Sequence, residues 1–197
     1  MSRFLGPSLT LLFALALSAC AASATQWQLD DVSGHLPDLA FDLTSDHGSA
    51  VSAADFSGKL TLLYFGYTHC PDVCPLTLTH LHVVLQHLGA DAAQVQVLFV
   101  SVDPARDTPA LLHQYVSAFD PHVTGLTGTP AQIEALARRY RVAYNREAID
   151  SNGNYDVSHS SGIYIFDRKG RARLLATSAD SIAAIVHDLR TLLGAPA

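Results

Sequence analysis

Two cysteines separated by three residues are the feature of the sequence with the most evident chemistry. Cys70 and Cys74 lie within residues 67–75, between a predicted buried strand and the first turn of a predicted helix. Unpaired backbone N–H groups and the helix dipole at such a position favour a thiolate over a thiol. The segment therefore predicts either a reactive dithiol or a site for a soft metal ion.

The spacing of this pair leaves several chemistries open. A purely structural disulfide is the plainest, but a cross-link across so short a loop stabilises a fold little. Thiol-disulfide oxidoreductases of the thioredoxin type carry two residues between their cysteines, whereas this chain has three. The extra residue widens the loop, so both sulfurs can turn toward one soft cation, and two thiolates plus one imidazole suit copper(I). Disulfide exchange stays open, because thiolates at a helix start react in either case.

A copper(I) site of this kind needs a histidine from elsewhere in the chain, and His159 is the best placed of the ten histidines. It precedes a predicted strand, in the loop that packs against the cysteines in a thioredoxin fold. Thioredoxins place a cis-proline in that loop, but no proline occurs here between Pro130 and Pro196. The other candidates lie on other helix faces or at a strand end: His69, His80, His82 and His87.

The elements that must position these residues follow from hydrophobic periodicity. An apolar run over 60–66 predicts a buried strand before the cysteines, and apolar residues at helical spacing predict a helix from about 74 to 88 with Gly89 as its C-cap. Further along, the pattern predicts a hairpin within 39–55, a strand over 95–102, helices over 109–119 and 130–140, a hairpin of strands 163–166 and 172–176, and a final helix containing 182–193. This order predicts an α/β, thioredoxin-like fold with a central mixed sheet flanked by helices.

The N-terminal segment has the pattern of an export signal. Residues 1–19 contain a single charge and an apolar run over 9–17, which is too short to span a bilayer as a helix. The sequence Leu17-Ser18-Ala19-Cys20 is similar to the lipobox of bacterial lipoproteins, in which the cysteine is acylated. An ordinary signal peptidase site is the alternative. We therefore expect a signal peptide over 1–19, lipidation at Cys20, a tether over 20–31, and a periplasmic or extracytoplasmic protein anchored in the membrane by lipid.

Composition indicates one globular unit and excludes one class of partner. The chain has 197 residues, of which 49% are hydrophobic, enough for a single buried core, which we expect over 32–197. Only 15% of residues are charged and the net charge is -6, so no basic surface is available for nucleic acid. With Cys20 acylated, Cys70 and Cys74 are the remaining cysteines, and all other sulfur chemistry occurs at one place.

Three sequence blocks together resemble the Sco/SenC family. They are residues 66–75 around the cysteines, residues 101–109, and residues 155–160 together with Tyr164, and the resemblance extends over about 37–193. It implies a thioredoxin-like copper metallochaperone without catalytic turnover. Copper would be bound by Cys70, Cys74 and His159 and delivered to the dinuclear copper centre of cytochrome c oxidase, whose copper-bearing subunit would be the partner.

The oxidising compartment adds a redox expectation. Cys70 and Cys74 should form a disulfide when copper is absent, which calls for a thiol reductant protein as a second partner. The alternative function is an extracytoplasmic thiol-disulfide oxidoreductase that reduces client cysteines before metallation. A peroxidase is a weaker alternative, because Thr68 could form part of a peroxide site but no arginine lies near Cys70 in the sequence.

The chain departs from the family pattern immediately before the histidine. Ser158 occupies a position that is usually Asp, so a carboxylate that orients the imidazole is missing or is supplied elsewhere. The segment Asp103-Pro104-Ala105-Arg106-Asp107 is interpreted as a structural loop in which Arg106 pairs with a carboxylate or faces a partner.

Overall fold

An eight-stranded mixed sheet and a separate two-stranded sheet form the framework of the protein, for which a computed structural model describes residues 26–151, 153–177 and 179–194. The strands are β1 (Asp30–Asp31), β2 (Asp42–Ser45), β3 (Ala50–Ser52), β4 (Leu60–Gly66), β5 (Val95–Ser101), β6 (Val123–Thr127), β7 (Tyr144–Arg146), β8 (Val157–His159), β9 (Ile163–Phe166) and β10 (Ala172–Ala176). The helices are α1 (Val73–Leu88), α2 (Pro109–Ser117), α3 (Pro130–Arg139) and α4 (Ile182–Gly194).

The main sheet has the strand order β1-β10-β9-β4-β5-β6-β2-β3. Strands β4, β5 and β6 run parallel, while β9 and β10 on one side and β2 and β3 on the other are antiparallel to their neighbours. Helices α1 and α4 pack against each other, and α2 packs on β6. The predicted α/β class, with a central mixed sheet flanked by helices, is confirmed.

The centre of the sheet consists of β4 and β5, whose apolar runs are buried on both faces as expected for inner parallel strands. Their register runs from Leu60 opposite Val95 to Gly66 opposite Ser101. Both strands therefore end at the same edge of the sheet. The loop that carries Cys70 follows β4 at this edge, and the loop that contains Asp103 follows β5.

Helix α1 begins at Val73, one residue before Cys74, so the predicted helix start is confirmed to within a residue. Its buried face comprises Cys74, Thr77, Leu78, Leu81, Val84, Leu85 and Leu88. The helix ends at the predicted Gly89, where φ is 61° and a side chain would be strained. Cys74 thus lies on the core side of the first helical turn.

Strand β6 and the pairing of β7 with β8 were not predicted from the sequence. Strand β6 is short and contains Gly125, and the sequence between the two neighbouring helices has no clear alternating pattern of a strand. Strands β7 and β8 form the separate two-stranded sheet, which places His159 at a strand end rather than in a loop. Both pairings depend on partners distant in sequence, so local patterns carry little signal for them.

The folded domain begins earlier than predicted. Residues 28–31 belong to it rather than to a tether, because β1 pairs with β10 and the side chain of Leu29 is buried. The backbone N–H groups of Gln28 and Leu29 each donate a 2.9 Å hydrogen bond to Oδ2 of the buried Asp188. The predicted signal peptide over 1–19 and Cys20 lie outside the described residues. Within those residues, none of the helices has both the length and the apolar character required to cross a bilayer.

Gly66 yields a prediction about packing behind the cysteines. A Cβ atom at Gly66 would lie 2.6 Å from Cε2 of Phe99 and 2.9 Å from Sγ of Cys74, both in the buried core. Gly66→Ala should therefore lower the free energy of unfolding by about 1–3 kcal/mol, measured by urea denaturation. Gly194→Ala is the matched control, because its Cβ would meet no atom within 4 Å. Equal denaturation midpoints for the two variants would contradict the packing argument.

Candidate metal centre

The loop between β4 and α1 presents its two sulfurs differently. Cys74 is fully buried, whereas Cys70 is half-buried. The backbone N–H of Cys74 donates a 3.4 Å hydrogen bond to Sγ of Cys70, so that sulfur caps the start of the helix. The N–H of Cys70 donates in turn to the carbonyl of Tyr67 at 3.3 Å, which fixes the loop.

His159 reaches the sulfurs from β8, whose end is held by pairing with Tyr144 of β7. Its Nε2 lies 3.3 Å from Sγ of Cys74. The imidazole also meets the rings of Tyr64 and Tyr67 edge-on, at centroid distances of 6.2 and 6.0 Å. These aromatic contacts fix the orientation of the ring toward the cysteines.

The protonation state of His159 suits a metal ligand. Its Nδ1 lies 3.0 Å from the carbonyl oxygen of Ser160, which can only accept, so Nδ1 carries the proton and the lone pair of Nε2 faces the sulfurs. Burial lowers the pKa of His159 below its ordinary value of 6.5, which keeps the ring neutral. The carbonyl of Ser160 thus supplies the orientation that the missing carboxylate at Ser158 cannot. The hydroxyl of Ser158 donates elsewhere, to the carbonyl of Asn145 at 3.3 Å.

The structure brings the three predicted ligands together. Sγ of Cys70, Sγ of Cys74 and Nε2 of His159 form a group whose ligand atoms lie within 4.8 Å of one another. An open groove of about 360 Å³ borders the group and is lined in part by Asp72, Glu147 and Asp156. Two sulfurs and one neutral imidazole form a donor set for a soft metal ion that remains accessible from the surface.

The expectation that the helix start favours thiolates is wrong for Cys74. Burial raises the pKa of its thiol to about 12, which outweighs the hydrogen bond from the loop that acts in the opposite direction. At neutral pH Cys74 therefore holds its proton until a cation replaces it. Cys74 is a poor nucleophile in this environment, although it remains a competent metal ligand.

The other histidines considered from the sequence lie outside this group. His69 is half exposed, and its Nδ1 lies 3.0 Å from the hydroxyl oxygen of Thr68. The Nδ1 atom of His82 lies 2.7 Å from Oδ2 of Asp120. His80 and His87 belong to the later turns of α1, beyond the cysteines.

A fully buried carboxylate, that of Asp107, holds the cysteine loop to the end of β5. Its oxygens accept hydrogen bonds from the backbone N–H of Thr68 at 3.0 Å, the hydroxyl of Thr68 at 2.6 Å and the hydroxyl of Ser101 at 2.6 Å. Thr68 precedes Cys70 by two residues. The hydroxyl of Thr68 is therefore hydrogen-bonded to Asp107, so Thr68 is not available for the peroxide site suggested from the sequence.

A second cluster in the same segment holds the chain that leads to His159. Asp103 accepts a hydrogen bond from Nε of Arg106 and another, at 2.8 Å, from the hydroxyl of Tyr155. Arg106 also donates to the carbonyl of Tyr155 at 2.9 Å, and its guanidinium lies over the ring of Tyr155 at 3.6 Å and near that of Tyr67 at 5.8 Å. The predicted pairing of Arg106 with a carboxylate is confirmed.

Sequence reasoning missed the positioning role of residues 101–109. Asp107 holds the cysteine loop, and Asp103 with Arg106 holds the histidine segment, so one segment fixes the distance between the two halves of the site. A usable signal was present, because the carboxyl ends of the parallel strands β4 and β5 meet at one edge. Polar residues after β5 are therefore expected beside the loop after β4.

The sequence is similar to that of one known protein family. The SCO1/SenC family model matches residues 33–194. The mitochondrial SCO2 homolog of Bos taurus is 40% identical over 162 residues, which are 78% of this chain and 61% of that protein, so the chain spans about three fifths of that relative's length.

Two solved structures of similar fold contain copper. Bradyrhizobium japonicum ScoI with copper bound is 41% identical, with a TM-score of 0.73 over 79% of this chain and 98% of the other. Yeast Sco1 with copper bound is 30% identical, with a TM-score of 0.74 over 82% and 91% of the two chains.

The fold and the cluster define a thioredoxin-like protein with two thiols and an imidazole converging at the start of its first helix. Because the family match covers most of the sequence, the chain belongs to the SCO1/SenC family.

The contact between Tyr155 and Asp103 can be tested by removing one oxygen. Tyr155→Phe deletes the hydroxyl that donates to Asp103 and keeps the ring that contacts Arg106. A lost hydrogen bond to a charged acceptor should lower the free energy of unfolding by about 1.5 kcal/mol, measured by urea denaturation.

Tyr115→Phe is the control for this experiment. The hydroxyl of Tyr115 is buried and has no hydrogen-bond partner among the described residues, so its removal should not destabilise the protein. If Tyr155→Phe is as stable as Tyr115→Phe, the hydrogen bond does not hold the segment before His159.

Proposed function

We propose that this protein is a copper metallochaperone that holds copper(I) through Cys70, Cys74 and His159. The observation that carries the proposal is the convergence of the two sulfurs and Nε2 within 4.8 Å. Copper(I) prefers soft ligands and accepts low coordination, so two thiolates and a neutral imidazole suffice. The copper-containing structures of the Bradyrhizobium and yeast relatives support the same cargo for this chain.

The chemistry of the cluster favours binding and transfer over catalytic turnover. Copper is the cargo here, so the site must bind the ion and also release it. The half-buried Cys70 and the open groove allow an acceptor to approach, whereas the buried Cys74 keeps one ligand fixed. Membership of the SCO1/SenC family supports the copper-bearing subunit of cytochrome c oxidase as acceptor, at its dinuclear copper centre.

The proposed location follows from the N-terminal sequence. Residues 1–19 direct export, Cys20 carries the lipid, and the short segment before residue 28 connects the lipid to the folded domain. The domain then works on the periplasmic or extracytoplasmic side of a membrane. Oxidising conditions in that compartment explain why a thiol reductant protein belongs among the partners.

The cysteine pair also supports a second candidate function, an extracytoplasmic thiol-disulfide oxidoreductase that reduces client cysteines before metallation. Cys70 is half-buried at a helix start and accepts a hydrogen bond from the N–H of Cys74, which suits an attacking sulfur. The buried Cys74 would have to resolve the mixed disulfide, and its raised pKa makes it a poor nucleophile for that step. His159 has no role in that chemistry, and this difference separates the two functions.

His159→Ala should weaken copper(I) binding and leave disulfide exchange intact. Mutation of residues that only orient a metal ligand typically lowers the affinity 10- to 100-fold, or about 1.4–2.7 kcal/mol. Loss of one of the three ligands themselves should lower the copper(I) affinity by at least that much. The measurement is an anaerobic copper(I) titration of the reduced protein against a competing chelator, with thiol-disulfide exchange followed in parallel.

His69→Ala is the matched control, since His69 lies beside the same loop but outside the cluster. Its copper(I) affinity should equal that of the wild type. Equal affinity in the His159→Ala variant would remove His159 from the site and weaken the proposed function.

The same two sulfurs should form a disulfide in the metal-free protein after exposure to air. In the structure they are neighbouring free thiols, with the N–H of Cys74 bonded to the sulfur of Cys70. An alkylating reagent should label Cys70 and Cys74 only after a reductant is added, as read by peptide mass spectrometry. Labelling of both residues without reductant would contradict the need for a thiol reductant partner.

A further inference from the structure

A second group of potential metal ligands lies apart from the sulfur site. Asp46 and His47 follow β2, His113 lies in α2, and their ligand atoms are within 4.8 Å of one another. Nδ1 of His113 lies 2.9 Å from Oδ2 of Asp46, and the rings of His47 and His113 have centroids 4.6 Å apart. This group shares no residue with Cys70, Cys74 and His159, and β5 and β6 separate β2 from β4 in the sheet.

The backbone holds Asp46 firmly in place. Its N–H donates to the carbonyl of Gly125 in β6 at 2.8 Å, and the N–H of Gly48 closes the turn by donating to the carbonyl of Ser45 at 2.8 Å. Gly48 adopts a φ of 80°, which glycine tolerates at this point of the turn. The carboxylate therefore occupies a defined position against α2, without ordering of a loop on binding.

The Asp46 carboxylate has an unused buried oxygen. Asp46 is 6% exposed, yet Oδ1 has no hydrogen-bond partner among the described residues, while Oδ2 contacts His113. A buried carboxylate oxygen without a partner is costly, and a cation is the group that compensates it best. The hydrogen bond to His113 engages only Oδ2, whereas an ion bound at Oδ2 would neutralise the charge that both oxygens share.

We propose that Asp46, His47 and His113 form a binding site for a divalent cation of borderline softness, Zn²⁺ or Cu²⁺. Two imidazoles and one carboxylate are the nitrogen and oxygen ligands that these ions take. Two ligand atoms at about 2.0–2.1 Å from such an ion are about 2.9 Å apart at the 90° angle of square-planar Cu²⁺ and about 3.3 Å apart at the tetrahedral angle of Zn²⁺. The 2.9 Å separation of His113 Nδ1 and Asp46 Oδ2 fits the first geometry directly and is a few tenths of an ångström short of the second.

The exposure of the two imidazoles defines what kind of site this is. His47 is exposed and the side chain of His113 is 49% exposed, so water completes the coordination and the ion exchanges with solvent. The donor set lacks sulfur, which separates it from the copper(I) cluster in chemistry as well as in place. The bound ion joins the β2–β3 turn to α2 and stabilises the folded state by linkage.

Zn²⁺ alone is the probe for this site, added to a tag-free full chain in which Cys20, Cys70 and Cys74 are all changed to Ser. Isothermal titration calorimetry should show one Zn²⁺ site, and the melting temperature should rise with added Zn²⁺. Asp46→Asn keeps the shape and a hydrogen-bond acceptor for His113 but removes the charge. It should lower the Zn²⁺ affinity at least 10-fold, and His47→Gln should do the same.

His122→Gln is the matched control. His122 forms a comparable surface pair with Asp120, its Nδ1 lying 2.6 Å from Oδ1, and it lies outside the proposed group. Its loss should leave Zn²⁺ affinity unchanged. Unchanged Zn²⁺ affinity in Asp46→Asn would overturn the proposal, because it would show that the exposed imidazoles bind the ion without the carboxylate. A fall in Zn²⁺ affinity seen only in His122→Gln would also overturn it.

The stoichiometry of Zn²⁺ binding gives an independent readout if the cysteine-free chain does not fold. With the cysteines intact and reduced, Zn²⁺ should occupy two sites, one at the sulfur cluster and one at Asp46. Asp46→Asn should reduce two sites to one while the sulfur site persists. Retention of two sites in that variant would overturn the assignment, and the sulfur site would be unaffected by either result.

Discussion

The proposed metal centre depends on one constraint: Cys74 and His159, which are 85 residues apart in sequence, must lie close enough to bind the same ion. The loop after β4 carries the cysteines and the end of β8 carries His159, but neither segment by itself fixes the distance between them. The segment after β5 defines it, since Asp107 binds Thr68 on one side while Asp103 and Arg106 bind Tyr155 on the other. The central parallel strands β4 and β5 bring two of these segments to one edge, and the polar contacts of the segment after β5 hold the chain before His159 against them.

Burial has opposite consequences for the two kinds of chemistry open to the cysteines. An isolated thiolate at Cys74 would leave a charge in the core, which is why burial raises the pKa of Cys74 to about 12. A thiolate bonded to a cation carries a much smaller penalty, because the opposite charge lies at bonding distance. The same surroundings therefore oppose a free nucleophile and permit a metal ligand. His159 follows the same logic, since burial favours the neutral ring.

The parts that follow local rules could be predicted from the sequence. The runs that form β4, β5, β9 and β10, and the periodic faces of the four helices, are local patterns, and they placed Cys74 in the first helical turn. Contacts between distant segments leave no such local pattern in the sequence. The pairing of β7 with β8 and the pairing of the edge strand β1 are of this kind. The role of Ser160 could not be predicted either, because its backbone carbonyl orients His159 and any residue at position 160 would provide one. The burial that raises the pKa of Cys74 likewise depends on residues such as Gly66 and Phe99.

Under the proposed function, the unequal exposure of the two sulfurs sets the order in which they would release an ion. An incoming thiolate or imidazole from an acceptor would reach the groove side first, where Cys70 is half-buried and Val73 of α1 is 41% exposed. Bonds to Cys70 are therefore exchanged first, while Cys74 keeps its hold from the core side. Cys74 would then be the later of the two sulfurs to release the ion to an acceptor.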